Sequence, residues 1–196
     1  THTLYRSSAA SDVYKRQVRI RTLCVGGLLT GLVPAGALMA QEGRYADPEA
    51  YMLEARAEVL VTIRAALSTL GDRNVEAHRE LFLPEATITA VALRDGERTI
   101  RVSTLEESIN SIAAVTVPMV ERIWDPEVRV DGEVAIVWAP YDFYINDSFS
   151  HCGHDGFQLV RTDRGWRLAS LIYTVAQPPD CELHPDGVPA GPQGAP

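Results

Sequence analysis

Positive charge is what this sequence lacks. Its 196 residues carry 18 Lys+Arg against 26 Asp+Glu. Residues 1–40 hold five of the bases (Arg6, Lys15, Arg16, Arg19, Arg21) and one acid (Asp12), so the remainder has 13 bases, 25 acids and a net charge of −12. A domain of that sign repels phosphate backbones and anionic headgroups, which excludes nucleic acid and stable membrane association as expected partners. The sequence also lacks a Gly-X-Ser-X-Gly elbow, a phosphate loop and a dinucleotide fingerprint, and no cofactor or metal is expected. No apolar run reaches the roughly 20 residues of a spanning helix. Cysteines number three, too few for a disulfide framework.

What is present begins with an address. Residues 18–40 read as a cleavable secretory signal. Lys15, Arg16, Arg19 and Arg21 supply its basic start, and residues 23–38 an uncharged run of 16 broken by Gly26, Gly27, Gly31, Pro34 and Gly36. Ala35-Gly36-Ala37 or Leu38-Met39-Ala40 gives a small-residue cleavage site. Residues 1–17 are polar and patternless and read as a non-native leader. Residues 185–196 are rich in Pro, Gly and Ala and read as a disordered tail. The folded domain is then residues 45–184 of a secreted or periplasmic protein. After processing two cysteines remain, Cys152 and Cys181. An oxidising compartment makes a disulfide between them one expectation; two separate thiols are the other.

Asp47-Pro48 opens a helix of roughly 22 residues with an N-cap and a proline at its first position. Its stripe is Tyr51, Ala55, Val59, Ile63, Ala66, Leu67 and Leu70. Gly71 stops it. Asp72 is read as the cap of a short second helix carrying Val75, His78, Leu81 and Phe82, ended by Pro84. From Ala86 the period is two, with a turn at Asp95-Gly96. Thr104-Leu105-Glu106-Glu107 is a capping box for a third helix to about Ala114. Strands are expected near 119–130, 133–145, 149–161 and 166–176. Three helices and a mainly antiparallel meander make an α+β domain, with a concavity between the long helix and a strongly curved sheet.

This order resembles the nuclear transport factor 2-like superfamily, with its polyketide cyclase-like, ketosteroid isomerase-like and scytalone dehydratase-like members. Leu81-Phe82-Leu83-Pro84-Glu85-Ala86 looks like that family's turn from second helix to first strand. Trp138-Ala139-Pro140-Tyr141-Asp142-Phe143-Tyr144, then Ser150-His151-Cys152-Gly153-His154-Asp155-Gly156-Phe157-Gln158-Leu159, then Gly165-Trp166, resemble its SnoaL-like or lumazine-binding-like branch. Tyr173-Thr174 departs from the Asp-Thr expected there. The resemblance implies a cone in which three N-terminal helices pack on the curved sheet.

A hairpin turning at Asn146-Asp147 with paired residues summing to 293 sets Asp142 opposite His151, Tyr144 opposite Phe149, Trp138 opposite Asp155 and Ile136 opposite Phe157. Alternation then places Trp138, Asp142, Tyr144, His151, Asp155 and Phe157 on one face, made apolar and inward by Val134, Ile136, Phe157 and Leu159. Asp142 bonded to His151 would fix the imidazole tautomer, and burial would raise the Asp155 carboxyl. A structural polar pair is the plainer alternative, and a one-residue bulge would separate it. Cys152 and His154 could join Cys181 and His184 around zinc only if the C-terminal segment folds back. Trp124 and Trp166 are expected in the core, and His78 packed rather than functional.

These residues admit three functions. The leading one is binding of a small, largely apolar molecule in the cavity, oriented by Asp142, Tyr144, His151 and Asp155 between Trp138 and Phe157. The second is an isomerase-, dehydratase- or cyclase-like enzyme in which His151 or Asp155, aided by Asp142, moves a proton. The third is a dimerising module using an outer sheet face of Val128, Val130, Ala135, Val137 and Ala139.

Overall fold

The computed structural model of the chain describes residues 47–94 and 97–189. The expected leader and signal, residues 1–40, lie outside the described residues, as does the expected tail beyond 189. Three helices, α1 (Pro48–Gly71), α2 (Val75–Glu80) and α3 (Leu105–Ala114), pack on a seven-stranded sheet. Its strands are β1 (Phe82–Arg94), β2 (Glu97–Thr104), β3 (Met119–Ile123), β4 (Glu127–Asp131), β5 (Val134–Ile145), β6 (Ser148–Thr162) and β7 (Gly165–Val175). The order is β2-β1-β7-β6-β5-β3, with β4 also on β5. Every pairing is antiparallel except β1 with β7. This is the expected α+β cone.

Local signals account for the helices. Asp47 Oδ1 accepts from the amides of Glu49 and Ala50, both at 3.1 Å, and Pro48 follows it. Tyr51, Ala55, Val59, Ile63 and Ala66 form the buried stripe of α1. They pack on the inward side chains of the sheet, among them Val130, Ala135, Val137, Phe157, Leu159, Trp166 and Leu168. Polar bonds fix the helix across the strands: Tyr51 Oη donates to the Gly132 carbonyl at 2.9 Å, and Trp166 Nε1 to Glu58 at 3.1 Å. The Thr104 capping box starts α3 as expected, with Glu107 answering the Thr104 amide at 2.8 Å. Asn74, rather than Asp72, caps α2, because Asp72 is spent closing α1. Phe82, Leu83 and Pro84 belong to β1, where Phe82 already pairs with Leu168.

The expected strand at 119–130 is two strands. Trp124–Pro126 interrupt it, with Asp125 at φ 43°. β3 pairs with residues 141–145 and β4 with residues 134–138 of the same β5 edge, one residue out of phase. Inward parity therefore switches from odd residues in β3 to even ones in β4.

The β5–β6 hairpin holds the main correction. At its tip Tyr144 opposes Phe149, and Asn146 and Asp147 both have positive φ, as a two-residue turn requires. Ser150 is then an extra residue. Beyond it Phe143 opposes His151, Asp142 opposes Cys152, Ala139 opposes Asp155 and Val137 opposes Phe157. A one-residue slip exchanges faces. Ala135, Val137 and Ala139, expected outside, are core, along with Val130 of β4, whereas Val134 and Ile136 are exposed.

The outer face is strapped by the C-terminal segment. Cys152 and Cys181 form a disulfide with Cα atoms 5.8 Å apart, so the two-thiol and zinc alternatives do not arise. Asp142, fully buried, accepts two bonds from Arg122 (2.9 and 2.6 Å) and one from the His184 amide at 3.1 Å. Arg122 also donates to the Gly187 carbonyl at 2.7 Å, so the segment stays on the sheet past the expected boundary at 184. Trp124 is only half-buried, its ring edge-on to His184 at 5.2 Å; Trp166 alone of the pair is core.

Reducing the disulfide should lower stability by about 3 kcal/mol, since it frees a loop of 29 residues in the unfolded chain. Arg122→Ala should cost about 3 kcal/mol by leaving Asp142 buried without its counter-ion. Urea unfolding, with and without reductant, measures both; unchanged midpoints would show that the strap contributes nothing.

Candidate functional site

Between the helices and the concave sheet face lies a cavity of about 260 Å³, close to the lower end of the ~300–1,000 Å³ typical of ligand pockets. Its helical side is mostly apolar, with Leu67 and Leu70 from α1 and Ile112 and Val115 at the end of α3, and carries Ser108 and Ser111 of α3 as polar members. The sheet side carries the chemistry. Alternation sends the odd residues of β3, of β5, of β6 past Ser150 and of β7 past its own register shift inward, so Glu121, Tyr141, His151, Asp155 and Tyr173 all line the space.

Register explains how they meet. Glu121 of β3 opposes Phe143 of β5, which opposes His151 of β6, making one row across the sheet. Asp155 of β6 lies opposite Ala139 on one side and Tyr173 on the other. Tyr141 sits between the rows opposite Gly153, and its hydroxyl donates to the Thr174 carbonyl at 2.7 Å. Gly153 has to be glycine because a Cβ there would overlap that same carbonyl and the Thr174 side chain. The Glu121 and Asp155 carboxyls interact directly, each shifting the other. Two carboxyls bond directly only when one of them keeps a proton.

Burial governs the pair. Asp155 is 1% exposed, and among the described residues its Oδ2 has no hydrogen-bond partner. Loss of water pushes its carboxyl well above the usual range, and the neighbouring Glu121 charge pushes it further. Glu121 is half-buried, its accessible part turned to the cavity that it lines. Enclosure raises it to about 7, against the opposing pull of the Asp155 bond. The pair therefore holds a proton to higher pH than an ordinary carboxyl does. The same burial and the two carboxyls raise the Tyr141 and Tyr173 hydroxyls. His78 also lines the cavity, with Nδ1 3.1 Å from the Ala66 carbonyl oxygen; burial lowers its pKa and keeps it neutral.

Of the residues expected to share one site, His151, Asp155 and Phe157 line the cavity. Trp138, Asp142 and Tyr144 do not, because the Ser150 bulge sends them to the outer face. There Trp138 stacks on His154 at 5.2 Å, and Arg122 lies over the Tyr144 ring at 5.5 Å. The Asp142–His151 pair does not form. His151 instead bonds Ser150 Oγ through Nδ1 at 2.9 Å and lies against the Tyr141 and Phe143 rings. Glu121 is the functional candidate that sequence reasoning missed. Its signal was a lone carboxylate between Met119 and Ile123, two apolar residues of the same parity.

The carboxyl pair sets a pH dependence. Both pKa values are higher folded than unfolded, so the native state binds more protons, and stability must fall as pH rises from the unfolded carboxylate range through 7. Asp155→Asn should flatten that decline. Melting temperature between pH 5 and 8 checks it; a wild type that grows more stable over this interval would contradict the assignment.

No family model and no curated protein matches the chain by sequence. Solved structures match by shape. An NTF2-like protein with a cystatin-like fold from Novosphingobium aromaticivorans aligns over 76% of this chain and 94% of its own, at TM-score 0.52 and 16% identity. An NTF2-like superfamily protein from Salmonella enterica covers 64% and 94%, at TM-score 0.52 and 14% identity. A Streptomyces avermitilis protein assigned as a dehydratase of the NTF2-like family covers 62% and 96%, at TM-score 0.50 and 17% identity. Identities this low speak to backbone architecture alone. Helices closing a cavity against a curved, seven-stranded, mostly antiparallel sheet give this chain the NTF2-like fold.

Proposed function

We propose that this domain binds a small, largely apolar molecule in the helix–sheet cavity, and that it does so after export. The observation that carries the reading is a space of about 260 Å³ walled by apolar and aromatic side chains with one acidic pair at its floor. That volume equals roughly nine waters at ~30 Å³ each, which suits a ligand of about one substituted ring. Few polar groups converging in an apolar cleft is the arrangement by which small molecules are oriented. The Cys152–Cys181 disulfide and the basic–apolar start of the sequence both support an oxidising destination.

Proton-transfer chemistry of isomerase or dehydratase type is the second reading, favoured by the Glu121–Asp155 pair. Adjacent carboxyls whose surroundings separate their affinities for a proton supply an acid and a base in one place. Glu121 supplies the second carboxyl of this pair, and His151 stands at the end of its row.

Native mass spectrometry of residues 41–196, recovered from an exporting host, should show a retained small molecule, or uptake of benzyl alcohol when none is retained. Ile112→Trp fills the cavity from α3 and should abolish the adduct while leaving the circular dichroism spectrum intact. Failure to take up any neutral apolar probe, or uptake unaffected by Ile112→Trp, would defeat the binding reading.

A further inference from the structure

We infer that the ligand class of this cavity is an amine: a small apolar body bearing one protonated nitrogen that seats against Glu121 and Asp155. The inference rests on the cavity-binding reading and narrows it.

The charge balance of the lining comes first. Among the described residues it holds two carboxyls and neither a lysine nor an arginine. Sites for carboxylates, phosphates or developing oxyanions present N–H donors and cationic side chains, and here the charged groups an anionic ligand would meet are the carboxyls of Glu121 and Asp155. Asp155 adds an independent sign. Its carboxyl is 1% exposed, lines the cavity and has an oxygen without a hydrogen-bond partner among the described residues. A buried polar atom left in that state is costly. An ammonium carries three donors and a positive charge on one atom, enough to serve both carboxyls at once. A ligand hydroxyl brings one donor and no charge. The walls agree with this choice, since Phe143, Tyr141 and Tyr173 stand around the pair, and aromatic faces attract a cation held among them.

The other titratable groups facing the site do not supply the missing charge. His78 on α2 is held neutral by burial. Arg101 on β2 acts on Tyr173 but is not among the groups perturbing Glu121 or Asp155. Tyr141 has its hydroxyl committed to Thr174. Tyr173 of β7 is raised by burial and carries no positive charge, and His151 of β6 also lines the cavity, so the test belongs at about pH 8, above the range in which an ordinary imidazole takes up a proton.

Benzylamine and benzyl alcohol share a ring and a length and differ in the terminal group. Calorimetric titration at that pH should find the amine bound at least about tenfold tighter. It should also find release of on the order of one proton, read as a heat that varies with the buffer, because a seated ammonium displaces the proton the carboxyls share. Glu121→Gln and Asp155→Asn should each reduce amine affinity about tenfold and change the alcohol's affinity by clearly less than that. Phenylacetate should not bind. Equal affinities for amine and alcohol, an amine preference that survives both substitutions, or tighter binding of phenylacetate would overturn the inference while leaving the cavity reading in place. Binding of none of the three would overturn both. The proton release is measured on the unmodified protein, so a variant that fails to fold does not remove the test.

Discussion

One extra residue in the β5–β6 hairpin, Ser150, decides what this molecule shows to its interior. Strand side chains alternate with period two, and an inserted residue reverses the parity of everything beyond it relative to the partner strand. The turn at Asn146-Asp147 would by itself bring Asp142 to His151. With Ser150 inserted, Asp142 faces Cys152 on the outer surface and His151 joins Phe143 and Glu121 inside. The core follows from the same shift. Val137 and Ala139 are buried, and Val134, Ile136 and Trp138 go outward. Both the acidic cavity and the strapped outer face depend on that residue.

How much of this was legible can be read residue by residue. The α1 stripe, the Thr104 capping box and the two-residue hairpin turn were all visible, since each depends on contacts within about four positions. The inward placement of Asp155 and Phe157 was also legible, from alternation along β6 alone. The cross-strand register was not. No local propensity marks Ser150 as a bulge, and a register argument that starts from the turn carries its one-residue error through all of β5. Glu121 escaped notice for a related reason. Its inward direction depends on β3 ending at Ile123, where Asp125 adopts a positive φ that the sequence does not advertise. Read as one strand from 119 to 130, the segment switches parity without any visible signal.

The two most deeply buried aspartates make an internal comparison. Asp142 and Asp155 are exposed by 0% and 1%, so desolvation alone does not distinguish them. Their partners do. Asp142 has a guanidinium clamped on both oxygens and a backbone amide from the strap. Its charge is compensated by the fold, and its work is to hold the C-terminal segment to the sheet. Asp155 has a second carboxyl for a neighbour, aromatic rings around it, and an oxygen without a partner. Packing could have solved the same space with an apolar pair at no comparable cost.

That contrast supports a functional reading better than the fold does. Shape neighbours at 14–17% identity report a backbone that accommodates many chemistries, and they leave the side chains at the cavity floor unexplained. A polar arrangement that destabilises the folded state at neutral pH, placed where a ligand could relieve it, is the kind of local inconsistency that marks a site. The relief has to come from a group with protons to donate. Gly153 permits the close approach of β7 at this row, because a side chain there would overlap the Thr174 carbonyl to which Tyr141 donates. The bulge aims the row, and among the described residues no lysine or arginine lines the cavity to answer the carboxyl pair.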